Sequence, residues 1–202
     1  MKLYYVPGAC SLAPHIALRE AGLPFDLDKV DLKTRTTKGG SDYRAINPKG
    51  AVPALGLDNG EVLTEAAVIL QYISDLKPSA KLLPAAGSME RVRVQEWLNY
   101  VATEIHKGLG ALFNPNLPAD AKLVLKDGIA ARFDFLSKHL EKRAYLYGES
   151  FTPADGYLFT VLGWTQWLEI DLGKWPVLKS YCERIAARPA VHAAMQAEGL
   201  LK

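Results

Sequence analysis

The sequence predicts two halves, an α/β half followed by an all-α half. Three observations carry this. Over residues 1–77, short β-rich runs are arranged strand–helix–strand and then strand–strand–helix, an order that builds a mixed sheet of four strands with helices on it. From Lys77 to Gly87 the composition shifts to Pro, Ala, Lys and Ser. Beyond that stretch no convincing strand recurs, and Val94, Trp97, Leu98, Val101, Ile105, Leu109 and Leu112 form one apolar stripe of a long helix. The expected division is therefore a sheet domain over 1–77, a linker over 78–87 and a helical domain over 88–202.

Leu3 to Val6 reads as a short buried strand that Gly8 breaks. Ser11 to Ala21 places Leu12, His15, Ile16 and Arg19 at helical spacing, and Gly22 with Pro24 stops the helix. Phe25 to Val30 is the second strand, and the polar stretch Lys33 to Asp42 reads as a loop. Val52 to Leu57 is the third strand. Asp58-Asn59-Gly60 is a hairpin turn that returns Glu61-Val62-Leu63 as the fourth. Thr64 is expected to cap a helix whose Ala67, Ile69, Leu70 and Ile73 face the core. In the second half, Asn114 to Pro118 ends the long helix and Ala121 to Leu140 forms another. Thr152-Pro153-Ala154-Asp155 is a capping box with proline at the first helical position, opening an apolar helix through Leu162, Trp164 and Trp167. Both tryptophans read most simply as core, with the lining of an apolar pocket as the other reading for one of them. Trp175-Pro176 and Arg188-Pro189 begin two further helices.

With 202 residues, 49% of them hydrophobic, the chain carries enough apolar side chain for a proper core. A net charge of +2 with mixed signs leaves no electrostatic footprint for nucleic acid. No apolar run has the length of a signal peptide core or a membrane span. Cys10 and Cys182 stand far apart and form no metal-type spacing, so a cytoplasmic protein with reduced thiols and no metal is the expectation.

One stretch, Asn47-Pro48-Lys49-Gly50-Ala51-Val52-Pro53-Ala54-Leu55, carries the most chemistry. A cis bond before Pro53 would turn the Val52 backbone outward, leaving its N–H and C=O for an extended peptide-like ligand. Taken alone, a turn into an edge strand is the simpler reading. Cys10 lies at a strand–helix junction, where free N–H groups and the helix dipole favour a thiolate, beside the plainer reading of a small buried hydrophobe, the commonest fate of a free cysteine. Ala13 and Pro14 follow where a second cysteine would be needed, so Cys10 has no neighbour to form an internal disulfide. Thr64-Glu65-Ala66 offers backbone N–H groups for a carboxylate and a Glu65 side chain for an ammonium, as well as the plainer reading of an ordinary cap. Asn99, Thr103 and His106 recur at i, i+4 and i+7, on a face opposite the apolar stripe, which is equally the pattern of a solvated face. Lys33, Arg35 and Lys38 form a basic loop, and His15 is a core or surface residue of the first helix.

From end to end the chain resembles a bacterial beta-class glutathione transferase. The motifs that carry the resemblance are Lys2-Leu3-Tyr4-Tyr5, Pro7-Gly8-Ala9-Cys10-Ser11-Leu12, Ile46 to Leu55, Leu63-Thr64-Glu65-Ala66, Glu96 to Tyr100, Glu104-Ile105-His106-Lys107 and Thr152 to Phe159. The resemblance implies a thioredoxin-like domain that holds glutathione, a helical domain that supplies an apolar second-substrate pocket, and a homodimer. Val52 with Pro53 would pair with the cysteinyl unit, Glu65 and Ala66 with the γ-glutamyl end, and Arg35 with the glycyl carboxylate. Cys10 would lie beside the glutathione sulfur and form a mixed disulfide with it. Asn99, Thr103, Glu104, Ile105 and His106 would complete the site, His106 polarising or deprotonating a thiol. Tyr5, Leu112, Phe113 and Trp164 would line the second pocket. Many relatives carry Ser or Gly where this chain has Ala66, so only its backbone N–H can bind. Arg35 stands where lysine is usual, and its fork still suits a carboxylate.

The implied activity is attack of the glutathione thiolate on small apolar electrophiles. Two other activities stand beside it: glutathione-dependent thiol–disulfide exchange or peroxidase chemistry at Cys10, and a non-catalytic ligand carrier, since fold does not fix function.

Overall fold

Leu3, Val30, Ala54 and Leu55 are buried, and the strands that carry them are the centre of a five-stranded sheet. In the computed structural model, which describes residues 1–201, the strands are β1 (Lys2–Tyr5), β2 (Asp26–Asp31), β3 (Thr36–Thr37), β4 (Ala54–Gly56) and β5 (Val62–Thr64), in the order β3-β2-β1-β4-β5. β1 pairs with β2 in parallel, Leu3 opposite Leu27, and with β4 antiparallel, Leu3 opposite Leu55. The fifth strand corrects the expected count of four. It lies in the stretch read as a loop, where Thr36 and Thr37 pair antiparallel with Asp31 and Val30. Two β-branched residues suffice for the pairing but are too few to show a period of two.

Three helices belong to this sheet: α1 (Leu12–Glu20), α2 (Tyr43–Ile46) and α3 (Ala66–Leu76). Asp42 caps α2 through its side chain, which accepts from the Arg44 N–H. Thr64 does not cap α3. It ends β5, and Glu65 takes the cap position with φ at 69°. The chain divides into two compact units, and the last helix, α9 (Pro189–Ala197), belongs to the first of them. There α9 packs along α1, and Arg188 forks onto both oxygens of Glu20 at 2.6 and 2.9 Å. The first unit is thus Met1–Leu83 plus the segment from Arg188 onward, and the second is Pro84–Ala187.

In the second unit the long stripe, apart from the half-buried Trp97, is buried along α4 (Met89–Tyr100), a π-helical segment (Val101–His106), α5 (Lys107–Ala111) and the Leu112 that follows it. α5 crosses α6 (Ala119–Leu140) closely enough that a Cβ at Gly108 would stand 2.6 Å from Ile129 Cδ1, so any larger residue there has to push the Ile129 side chain aside. α7 (Pro153–Leu162) opens on the expected capping box, and α8 (Pro176–Ala186) follows. The buried Asp155 carboxylate accepts from the N–H groups of Leu146 and Thr152 and from the hydroxyls of Thr152 and Tyr181, at 2.8–2.9 Å. Trp164 is buried as expected, whereas Trp167 is half exposed. The chain leaves the α-helix after Leu162 for a 3-10 turn over Gly163–Gln166, which changes the register on which Trp167 was placed in the core.

Candidate functional site

The turn after β1 is built by its own backbone and by Ser11. The Ala9 N–H reaches the Val6 carbonyl at 3.0 Å, and the Ser11 hydroxyl both accepts from the Val6 N–H and donates to the Val6 carbonyl. Gly8 turns the chain with φ at 72°, a conformation that suits glycine. Cys10 follows, almost fully buried, with its S–H donating to the Val52 carbonyl oxygen at 3.1 Å. A donor bond of this kind favours the neutral thiol, so the carbonyl and the helix start act on Cys10 in opposite senses.

Val52 itself sits on a braced loop. The Ala51 carbonyl accepts from the Tyr43 hydroxyl at 2.8 Å and from the Asn47 side-chain amide at 2.7 Å. Burial pushes the Tyr43 phenol up to about 12, which keeps it a donor at neutral pH. Arg35 donates to the Gly50 carbonyl, so its guanidinium braces the same loop. The Val52–Pro53 bond is cis, and among the described residues the Val52 N–H has no hydrogen-bond partner. Glu65 lies beyond β5 in a positive-φ conformation rare for a side chain other than glycine, the kind of outlier that recurs at ligand clamps. Its carboxylate meets the Lys49 ammonium at 2.6 Å, and the same ammonium donates to the Thr64 hydroxyl at 2.9 Å. Ala66 is buried as the first residue of α3.

A second polar group lies behind the Cys10 turn. Glu198, just past α9, accepts from the Gly8 N–H on one oxygen and from His15 Nδ1 on the other, both at 2.9 Å. Arg19 Nε donates to His15 Nε2 at 2.9 Å. An arginine can only donate, so Nε2 is the accepting nitrogen and the ring proton sits on Nδ1. The His15 and Glu198 side chains are both wholly buried. Tyr5, half-buried, has its phenol pushed up by burial first and by the Glu198 and Asp28 charges next.

In the second unit the π-helical segment advances each residue by less than an α-helix does. His106 is therefore rotated off the face that the i, i+4, i+7 spacing predicted. Asn99 and Thr103 remain exposed, the Thr103 hydroxyl donating to the Asn99 carbonyl at 3.0 Å. His106 instead turns to Tyr157, with Nδ1 2.6 Å from the hydroxyl, and lies edge-on to Trp164 with ring centres 4.9 Å apart. Segments of this type recur at functional positions. Phe113 packs edge-on against Trp164 while half exposed, and Leu112 is buried. Glu104 is held by Arg132 at 2.6 Å, and the Ile105 side chain is in the core.

The structure thus brings Cys10 and Val52 together, braces their loop through Arg35, and groups His106, Phe113 and Trp164. Sequence reasoning passed over Tyr43, Asn47, Lys49, Tyr157, His15 and Glu198 as working parts. Asn47 and Lys49 lay inside the motif singled out, but Glu198 carried no local signal at all.

Among the described residues no group of His, Cys, Asp or Glu has the arrangement of a metal site, and no helix is long and apolar enough to cross a membrane. Residues 8–76 match the glutathione S-transferase N-terminal domain, and residues 100–189 the glutathione S-transferase C-terminal domain. The chain is 44% identical over 200 residues to the glutathione S-transferase GstA of Escherichia coli O157:H7, covering 99% of this chain and 100% of that protein. The solved beta-class glutathione S-transferase of Sphingomonas chungbukensis superposes with a TM-score of 0.96 at 48% identity, with both chains fully covered. A sphingomonad glutathione S-transferase solved in complex with glutathione superposes equally well, at a TM-score of 0.96 and 46% identity over all of both chains. The chain therefore belongs to the glutathione S-transferase family, and to its bacterial beta class.

Proposed function

We propose that the protein is a glutathione transferase that directs the glutathione thiolate onto an electrophilic carbon of a small apolar substrate. The observation that carries this reading is the Val52 backbone: an N–H without a partner among the described residues, beside a carbonyl that already holds the Cys10 thiol. An extended cysteinyl unit has the matching N–H and C=O, and its sulfur falls on the side of Cys10. Glu65 supports the same assignment, because it already binds one ammonium, that of Lys49. The Ala66 N–H at the start of α3 suits the neighbouring carboxylate of a γ-glutamyl group. In this reading Arg35 serves the glycyl end, while Asn99, Thr103, Glu104 and Ile105 contribute from the helical unit. His106 polarises or deprotonates the thiol, and Tyr5, Leu112, Phe113 and Trp164 face the apolar substrate. We assign the protein to the cytoplasm as a homodimer. Isothermal titration with glutathione, followed by turnover of chlorodinitrobenzene, tests the reading: binding and conjugation are expected, and absence of glutathione binding ends it.

A second reading is favoured by Cys10 alone. Its thiolate would attack a glutathionylated disulfide, take the glutathionyl group as a mixed disulfide and release the other thiol. A second glutathione would then free Cys10 and leave as glutathione disulfide. Deglutathionylation by Cys10→Ala decides it: undiminished activity excludes this route. Conjugation survives that substitution, since glutathione brings its own sulfur.

A further inference from the structure

We propose that Lys49 is a built-in rival for the ligand's ammonium, and that by holding Glu65 it lets the site take thiol peptides that lack the γ-glutamyl amino group. The inference rests on the reading of Glu65 as the acceptor of that ammonium. Its physical basis is the ion pair at the tip of the Asn47–Val52 loop. Lys49 Nζ lies 2.6 Å from Glu65 Oε1 and donates to the Thr64 hydroxyl at 2.9 Å. An ammonium of the chain itself thus stands on the carboxylate assigned to the ammonium of the ligand.

The loop does not need this pair to hold its shape. The Tyr43 hydroxyl and the buried Asn47 amide grip the Ala51 carbonyl, and Arg35 donates to the Gly50 carbonyl. The Gly50 N–H reaches the Asn47 carbonyl at 2.8 Å, and the Lys49 N–H reaches the Asn47 side-chain oxygen at 3.2 Å. Glu65 is anchored separately. Its carbonyl accepts from the Val68 and Ile69 N–H groups at 3.0 and 2.9 Å, and its backbone keeps φ at 69°. Two independently fixed segments therefore meet only through their side-chain ends. Both side chains are more than half exposed, so the pair adds little to the stability of the fold and a ligand reaches it directly.

A ligand with an ammonium has to displace Lys49, and it gains only the difference between two ammonium–carboxylate contacts. The displaced Nζ keeps the Thr64 hydroxyl as a partner, which softens the exchange. A ligand without the ammonium leaves Lys49 on Glu65, so no carboxylate loses its partner beneath it. Lys49 therefore narrows the gap in affinity between the two kinds of ligand. The class admitted is a cysteinyl-glycine acylated by a plain dicarboxylic acid, with the thiol and both carboxylates of glutathione but no amine.

The experiment is isothermal titration of wild type, Lys49→Met, Glu65→Gln and the double variant with glutathione and with its glutaryl analogue. The readout is the ratio of the two Kd values, the preference for the amine. Lys49→Met takes away the partner that Glu65 keeps under the analogue, so the preference rises. The analogue carries one negative charge more than glutathione, so loss of any nearby cation weakens it more, and the Glu65→Gln background measures that part. The expected rise is about threefold larger with Glu65 present than in the Glu65→Gln background, the size of an exposed ion pair. A role of Lys49 in loop shape alone lowers both affinities together and leaves the ratio unmoved. No rise, or an equal rise in both backgrounds, overturns the proposal while the glutathione reading stands. A wild type that binds neither ligand ends the glutathione reading and the proposal with it.

Discussion

The Glu65 carboxylate offers the sharpest test of how the γ-glutamyl end is held. Glu65→Gln keeps the shape and removes the charge. In the free protein the side chain is 65% exposed and pairs with an ammonium at 2.6 Å, that of Lys49. A charge-assisted hydrogen bond is worth about 1.5–3 kcal/mol when sheltered and about 0.2–1 kcal/mol when exposed. A ligand covers part of this surface, but Glu65 must also give up some of its contact with Lys49. An intermediate figure of about 1.5 kcal/mol follows, equivalent to about tenfold in affinity. Isothermal titration should be run on both proteins with glutathione and with an analogue lacking the γ-glutamyl amino group. The expected result is a loss of about tenfold for glutathione in the variant and little change for the analogue, which isolates the pairwise interaction. Equal losses for both ligands would mean that Glu65 acts through its unusual backbone and not as an ammonium acceptor. No loss for either would remove it from the site.

Three further predictions follow from other parts of the structure. Tyr157→Phe deletes the 2.6 Å partner of His106 and should lower chlorodinitrobenzene turnover by about fivefold with glutathione affinity unchanged, the imidazole nitrogen resonances of His106 moving with it. Asp155→Ala strands three donors around a buried carboxylate position, leaves the Tyr181 hydroxyl only the Asp155 carbonyl, and should cost about 3–5 kcal/mol in urea unfolding, whereas a loss below about 1 kcal/mol would refute that accounting. Burial pushes the Cys182 thiol up to about 12 from 9.0. The unfolded thiol then ionises first, so its contribution to stability is whole below pH 9 and lost as pH rises toward 12. Between pH 9 and 11 this amounts to about 2 kcal/mol, and Cys182→Ala should flatten that part of the stability–pH curve relative to wild type.

The sequence was readable wherever the signal was local. Thr152-Pro153-Ala154-Asp155 specifies its own cap, and the cap is there. The Asp58-Asn59-Gly60 turn and the order of β1, α1, β2, β4, β5 and α3 follow from short-range chemistry. β3 escaped because two threonines in a polar stretch carry no alternation. The cap of α3 was misplaced by one residue, because Thr64 has the usual chemistry for it while the backbone there takes a conformation that composition does not encode. His106 was identified as a candidate but assigned the wrong surroundings, since a π segment changes the angular step and residue type does not announce it. Glu198 and His15 stand 183 positions apart, and nothing in a periodicity argument pairs a buried acid with a distant histidine.

The membership of α9 in the first unit has a consequence for biogenesis. A ribosome delivers Cys10 and the whole sheet early, yet Arg188 and Glu198 emerge last, after the entire helical unit. Domains that are contiguous in sequence can fold as they leave the exit tunnel. Here the nascent first unit lacks the carboxylate that grips Gly8 until translation nears its end. The Gly8–Glu198 hydrogen bond is thus made only when nearly all of the polypeptide exists, and a truncated product ending at Leu83 would carry Cys10 without that contact behind it.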